Sequence, residues 1–245
     1  AIEVVGAATE AALGNYYVDD SGNSKIAYTI TKKDITVAYA GNMSFVYDGT
    51  AHSDVSVTSV EGIIDSEQDL YNADTLKVTY TKDGSTADTA RNAGTYNVSV
   101  APIDAEDTAF ANNYNVATAQ TFTIDKAPLS LQLLDVTMDY ASATGQAIPY
   151  GEGVTHNFVE GQIFDGDDVQ EDPNEWLLQI YTLNENDGSE LTINGIGTYL
   201  FSIRLNPTNS NAGNYELTLT DSVEGAKYPN APEGVGTLTI EGTAV

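Results

Sequence analysis

The sequence predicts an all-β protein made of sandwich-like modules in tandem. Three observations carry this reading: apolar residues alternate with period two, turn dipeptides separate the alternating runs, and one order of motifs occurs twice. The alternation is clear at Tyr96, Val98 and Val100, at Phe122 and Ile124, and at Leu129, Leu131 and Leu133. It returns at Tyr199, Phe201, Ile203 and Leu205, and at Tyr215, Leu217 and Leu219. The residues between them are largely Thr, Ser, Asn or charged, as a sheet with one solvated face requires. Thr and Val are abundant, and both suit a pleated, half-buried surface. Asp48-Gly49, Asp83-Gly84, Ala93-Gly94 and Asp187-Gly188 supply the turns. Helix signals are confined to 7–13 and 105–111, each enough for one or two short turns. A crossover helix at 105–111 would make the modules β-grasp-like, which is the alternative architecture.

Repetition organises the chain. Asn92-Ala93-Gly94-Thr95-Tyr96 matches Gly195-Ile196-Gly197-Thr198-Tyr199, and Asn113-Tyr114-Asn115-Val116 matches Asn214-Tyr215-Glu216-Leu217. Each copy closes on a strand, Thr121-Phe122-Thr123-Ile124 or Thr237-Leu238-Thr239-Ile240. The same ending appears earlier, where Asn15-Tyr16-Tyr17-Val18 leads to Ala27-Tyr28-Thr29-Ile30. Residues 1–32 therefore read as the tail of a preceding truncated repeat, 33–126 as a first full repeat, and 127–245 as a second, divergent one. The tail has apolar strand positions at Ile2, Val4, Tyr16, Val18, Tyr28 and Ile30 but lacks earlier strands, so it should dock on the first full repeat or pair with another copy. Asp125-Lys126-Ala127-Pro128 forms the junction, and Pro128 makes it short and stiff. The glycine before each Thr-Tyr permits positive φ, while Tyr96 and Tyr199 should bury their rings and return their hydroxyls to the backbone.

Composition narrows the function. Nine basic residues against 36 acidic ones give a net charge of −27, which argues against nucleic acid and anionic membrane as partners. No run approaches the ~18 consecutive apolar residues of a membrane span. Ala1 opens directly into strand-like sequence without a basic leader, so the chain reads as excised from something longer. The absence of cysteine excludes disulfides, thiolate metal sites and thiol nucleophiles.

Four motifs in order resemble the MBG repeat of large bacterial surface adhesins, which include mucus-binding proteins of lactobacilli. They are Phe45-Val46-Tyr47-Asp48-Gly49-Thr50-Ala51, Asn92-Ala93-Gly94-Thr95-Tyr96, Asn113-Tyr114-Asn115, and Phe122-Thr123-Ile124-Asp125-Lys126-Ala127-Pro128-Leu129. The likeness is close over 33–126. It is looser over 127–245, where Asp139-Tyr140-Ala141-Ser142 lacks the Tyr-Asp-Gly-Thr block and an acidic insertion runs from Phe164 to Glu175. The resemblance implies a secreted protein at the bacterial cell surface, with host mucin or glycans and neighbouring repeats as partners.

No hydrolase elbow, P-loop or dinucleotide fingerprint occurs, so a non-catalytic role is expected. The two histidines, His52 and His156, lie in polar stretches that read as exposed loops. Asp165, Asp167, Asp168 and Glu171 form the densest acidic cluster, and calcium is the ion such a loop would take. Simple solvation of the loop is the competing reading, and no cofactor is required. Trp176, the only tryptophan, could stack on a sugar together with Tyr181, although Leu177, Leu178 and Ile180 around it favour a core role. The expected function is a repeat segment of a cell-surface adhesin that binds host glycoprotein. A structural stalk or spacer, or an accessory module of an extracellular enzyme, are the alternatives.

Overall fold

The computed structural model describes residues 30–117, 119–140, 148, 150–168, 176–184, 187–222 and 234–242. Within them the fold is all-β, as the alternation predicts. The strands are β1 (Lys33–Ala40), β2 (Ser44–Val46), β3 (Ser56–Glu61), β4 (Leu76–Lys82), β5 (Ser85–Ala87), β6 (Gly94–Pro102), β7 (Tyr114–Val116) and β8 (Gln120–Asp125). There follow β9 (Ala127–Leu133), β10 (Val136–Asp139), β11 (His156–Glu160), β12 (Leu178–Leu183), β13 (Gly197–Leu205), β14 (Tyr215–Thr220) and β15 (Gly236–Glu241). Helix α1 (Ala109–Asn113) starts later than the sequence suggests. Asp104 and Asp107 fold 104–107 into turns instead, since their carboxylates accept from the Glu106 and Ala109 N–H groups at 3.0 and 2.9 Å. Single 3₁₀ turns occur at Asp65–Glu67 and Ala212–Asn214. The proposed tail, beyond 30–32, and the helical turn at 7–13 lie outside the described residues.

Four sheets form, with strand orders β3-β1-β7, β2-β8-β6-β4-β5, β11-β9-β14 and β10-β15-β13-β12. Two compact units contain them: of the described residues, one comprises 30–38, 57–77 and 100–117, the other 39–56, 78–99 and those from 119 onward. Motifs aligned in sequence hold the same register. Lys33 lies opposite Tyr114 in the parallel pair β1·β7, and Ala127 lies opposite Tyr215 in the parallel pair β9·β14. Likewise Tyr96 pairs with Phe122 and Gly94 with Ile124, while Tyr199 pairs with Leu238 and Gly197 with Ile240. Phe45 and Met138 occupy matching places in parallel pairs, opposite Ile124 and Ile240.

The Gly-Thr-Tyr expectation holds for the glycines and the hydroxyls, while the ring of Tyr96 is buried and that of Tyr199 only half-buried. Gly94 and Gly197 have φ of 138° and 151°, which a side chain rarely tolerates. Tyr96 returns its hydroxyl to the Asn92 carbonyl at 2.6 Å and Tyr199 to the Gly195 carbonyl at 2.9 Å. The leucines of β9 and the apolar residues of β6 and β8 are buried at alternate positions. Strand β13 departs from simple alternation, because Leu200 and Ser202 are buried as well as Phe201 and Ile203. It is flanked by β15 and β12, and its second face is covered: Leu200 packs with Leu183 and Val235, and Ser202 Oγ donates to the Gly234 carbonyl.

Both histidines are buried, contrary to their polar surroundings in sequence. His52 stacks on Phe45 with ring centroids 4.0 Å apart and exchanges backbone hydrogen bonds with Ala90, which draws the residue behind the Asp48-Gly49 turn inward. His156 begins β11 opposite Leu133, and that register turns its ring to the interior. Among the described residues, no helix is long and apolar enough to cross a membrane.

Candidate functional site

Asp167 is a buried polar centre of the second unit. The turn Phe164–Asp167 is closed by the Asp167 N–H, which donates to the Phe164 carbonyl at 3.1 Å. Gly166 has φ of 85°, the left-handed conformation such a tight turn needs. This geometry turns the Asp167 side chain inward, where it is only 1% exposed. Its Oδ2 accepts the hydroxyl hydrogens of Tyr47 at 2.7 Å and Tyr215 at 2.6 Å, and Arg91 Nη2 lies 3.4 Å from Oδ1. A buried carboxylate is tolerated only with such partners. Burial first, and then the Asp167 carboxylate, pushes the Tyr47 hydroxyl up to about 12 and raises Tyr215 as well. Both hydroxyls therefore stay protonated and donating at neutral pH.

The partners of Asp167 come from two stretches the sequence assigns to different repeats. Tyr47, Gly49, Arg91, Asn92 and Ala93 belong to turns of the first full repeat; Phe164, Asp167, Asn214 and Tyr215 belong to the second. Arg91 Nε donates to the Gly49 carbonyl at 3.0 Å, tying the two turns to each other. The Ala93 N–H donates to Asn214 Oδ1 at 2.8 Å, and Asn214 Nδ2 donates to Asn92 Oδ1 at 3.3 Å. Tyr47 meets both Phe164 and Tyr215 edge to face, with centroids 5.7 and 5.5 Å apart. Only Lys126 separates β8 from β9. The result is a joint with a desolvated, satisfied polar centre.

Beside the joint lies an open cavity of about 380 Å³. Its lining includes Tyr150, Glu152, His156, Phe158, Asp165 and Asp168. Tyr150 stacks on Trp176 with centroids 4.6 Å apart and planes 20° from parallel, and its hydroxyl donates to Asp168 Oδ2 at 3.1 Å. Burial raises the Tyr150 hydroxyl, and Asp168 adds to this. His156 Nδ1 is 3.0 Å from Thr155 Oγ1, and burial lowers the imidazole below its ordinary value, against the opposing pull of Glu152 and Asp168.

The residues singled out in sequence are thus divided. Asp165 is exposed at the cavity mouth, while Asp167 is consumed by the joint. Asp168 accepts from Tyr150 and, at 2.8 Å, from the Leu177 N–H. Glu171 lies outside the described residues. Among the described residues, no three His, Asp or Glu side chains converge to hold a metal ion. Trp176 is half-buried against Tyr150, with its carbonyl accepting from Asn206 Nδ2 at 2.8 Å. Tyr181 packs elsewhere, against the Leu183–Leu200–Val235 cluster, with the Arg204 guanidinium 4.6 Å above its ring. The sequence reading did not single out Tyr47, Arg91 and Tyr150 for these contacts. An acid three residues after an apolar one occurs at Ile64–Glu67 and Phe164–Asp167, but also at Ile103–Glu106 and Val136–Asp139, so no local pattern marks the joint. No protein-family model, no characterised protein and no solved structure matches the chain.

Proposed function

We propose that this chain is a non-catalytic repeat segment of a bacterial cell-surface adhesin of the MBG type, working outside the cell, and that the joint at Asp167 fixes one repeat against the next. The observation that supports this is the buried Asp167 carboxylate shared between Tyr47 and Tyr215. A flexible tether would leave such a carboxylate to water, whereas a spacer must transmit orientation from repeat to repeat. Calorimetry tests the reading. Residues 33–245 should melt as one cooperative unit, and two independent transitions would sink it.

A ligand-binding role is supported by a different observation, the cavity beside Tyr150. Its volume falls within the ~300–1,000 Å³ of small-ligand sites. Carboxylates accept hydrogen bonds from sugar hydroxyls, and aromatic faces cover sugar C–H groups. On this reading host mucin or a free glycan is the ligand, with Glu152 and Asp165 as acceptors and Tyr150, held by Trp176, as the platform. The test is a screen against mucin and a glycan panel, with an unrelated acidic protein as control. Binding that survives Tyr150→Ala unchanged would remove the cavity from consideration.

A further inference from the structure

The first full repeat carries the same hydroxyl–carboxylate latch that the second uses at the joint. Tyr114 donates to Glu67 Oε2 at 2.6 Å and accepts from the Ile64 N–H at 3.3 Å. Tyr215 donates to Asp167 Oδ2 at 2.6 Å and accepts from the Phe164 N–H at 3.0 Å. In each case the acid closes its turn through its own N–H, Glu67 onto Ile64 at 2.8 Å and Asp167 onto Phe164 at 3.1 Å. An asparagine ends the short helical turn before each tyrosine, Asn113 as the last residue of α1 and Asn214 as the last of the 3₁₀ turn. One local structure is built twice.

What covers it differs. Asn214 is 3% exposed beneath Asn92 and Ala93, and Phe164 packs under Gly49, where an added Cβ would lie 2.8 Å from Phe164 Cβ. Asn113 is exposed, and Ile64 and Leu70 are 41% and 60% exposed. The acceptor half of a joint is therefore assembled on the first repeat, with its outer surface open among the described residues. A preformed surface loses little freedom on docking.

We propose that the face formed by Ile64, Glu67, Asn113 and Tyr114 is a docking site for the turn end of another repeat of the same build. This rests on the repeat reading above. The occupant presents Tyr-Asp-Gly-Thr and Arg-Asn-Ala-Gly, as residues 47–50 and 91–94 do here. Its tyrosine hydroxyl and arginine meet Glu67, as Tyr47 and Arg91 meet Asp167. Its backbone N–H meets Asn113 Oδ1, as that of Ala93 meets Asn214. Its glycine passes over Ile64, where any side chain would clash. The turn end of the second repeat is a poor occupant: Asn194 stands where Arg91 does, and Asp139-Tyr140-Ala141-Ser142 lacks the Gly-Thr turn. A second copy of this chain docking by that end is thus disfavoured, and an end of the first repeat's type is the partner.

The test is a chain with residues 33–126 duplicated in tandem and everything else retained. The inner copy then follows a turn end of the required type. In the undivided natural chain, Asn113→Ala should leave the melting temperature unchanged, because the side chain faces solvent. In the inner copy of the duplicated chain the same substitution should lower it by about 2–4 °C. Amide exchange around Asn113 of the inner copy should also be slower than in the natural chain. If the inner copy folds but Asn113→Ala is neutral in both chains and exchange is unchanged, the docking site is wrong and the repeat reading stands. An inner copy that fails to fold overturns the repeat reading, and the docking proposal with it.

Discussion

The hydroxyl of Tyr47 donates to Asp167 Oδ2 at 2.7 Å across 120 residues of sequence. That oxygen also takes the Tyr215 hydroxyl, so the two tyrosines share one acceptor. Hydrogen bonds to a charged group contribute about 1.5–3 kcal/mol each, and stranding a buried partner costs more. Tyr47→Phe should therefore destabilise the protein by about 1.5–3 kcal/mol. Asp167→Ala should cost about 3–5 kcal/mol, since it leaves two buried hydroxyls unpaired. Groups in one network couple, so the double variant should fall short of the sum of the single ones. Urea denaturation of the four proteins measures this, and additive effects would show that the bond is not formed in solution.

Gly49 faces two constraints at once, a φ of 76° and an added Cβ only 2.8 Å from Phe164 Cβ. Gly84 shares only the first: its φ is 80° and nothing lies within 4 Å of an added Cβ. Left-handed backbone costs a non-glycine residue about 1–2 kcal/mol. Gly84→Ala should thus cost roughly that much, and Gly49→Ala clearly more, because the joint must also open. Equal losses in stability would mean that the turn does not press on Phe164.

The fold was legible because its signals are local. Leu129, Leu131 and Leu133 alternate in sequence and are buried together, and the Gly-Thr-Tyr motif announces both its positive φ and its hydroxyl return. The acidic loop was legible as a cluster, yet the roles of its members were not. Asp165 and Asp167 are two residues apart, and one is exposed while the other is buried, because Gly166 reverses the chain between them. Nothing local says that Asp167 will find Tyr47 and Arg91. The histidines were misread for a related reason: burial of His52 follows from a bridge to Ala90, and that of His156 from its register against Leu133. Such pairings are set by topology, which polarity along a short window does not encode.

His156 should make stability depend on pH on the acid side. Burial depresses its folded-state value below the ordinary 6.5, so the unfolded chain binds the proton more readily. Its contribution is fully present above about 6.5 and is lost as pH falls from there through the depressed folded-state value. The melting temperature should drop between pH 7 and pH 5, and His156→Gln should flatten part of that drop. An identical pH profile in the variant would mean that the ring is solvated.

Calcium would have to compete with internal partners in the 165–168 loop. The Asp167 and Asp168 oxygens are held by Tyr47, Tyr215, Arg91, Tyr150 and the Leu177 N–H, whereas calcium needs six to eight oxygens, a general requirement of the ion. Millimolar calcium, or its removal by chelator, should shift the melting temperature by less than about 1 °C. A ligand specific to the folded state raises stability by mass action, so a rise of several degrees with calcium would show that the loop rearranges to bind it.

On the alkaline side ionisation of the joint tyrosines should destabilise the fold. Burial, reinforced by Asp167, pushes the Tyr47 hydroxyl up to about 12 from an ordinary 10.0, and Tyr215 is raised too. The folded state therefore holds these protons more tightly than the unfolded chain does. The stability they supply is fully present below pH 10 and is lost as pH rises from 10 towards 12. Deprotonation would place a phenolate against a buried carboxylate, two like charges on one site. In the wild type the melting temperature should fall more steeply above pH 10 than in Tyr47→Phe, which has no hydroxyl to ionise at that position. Absorbance at alkaline pH should show a late-titrating tyrosine in the wild type that Tyr47→Phe lacks. Parallel melting curves for the two proteins from pH 9 to pH 12, with matching tyrosine titrations, would overturn the assignment of Tyr47 to the Asp167 centre.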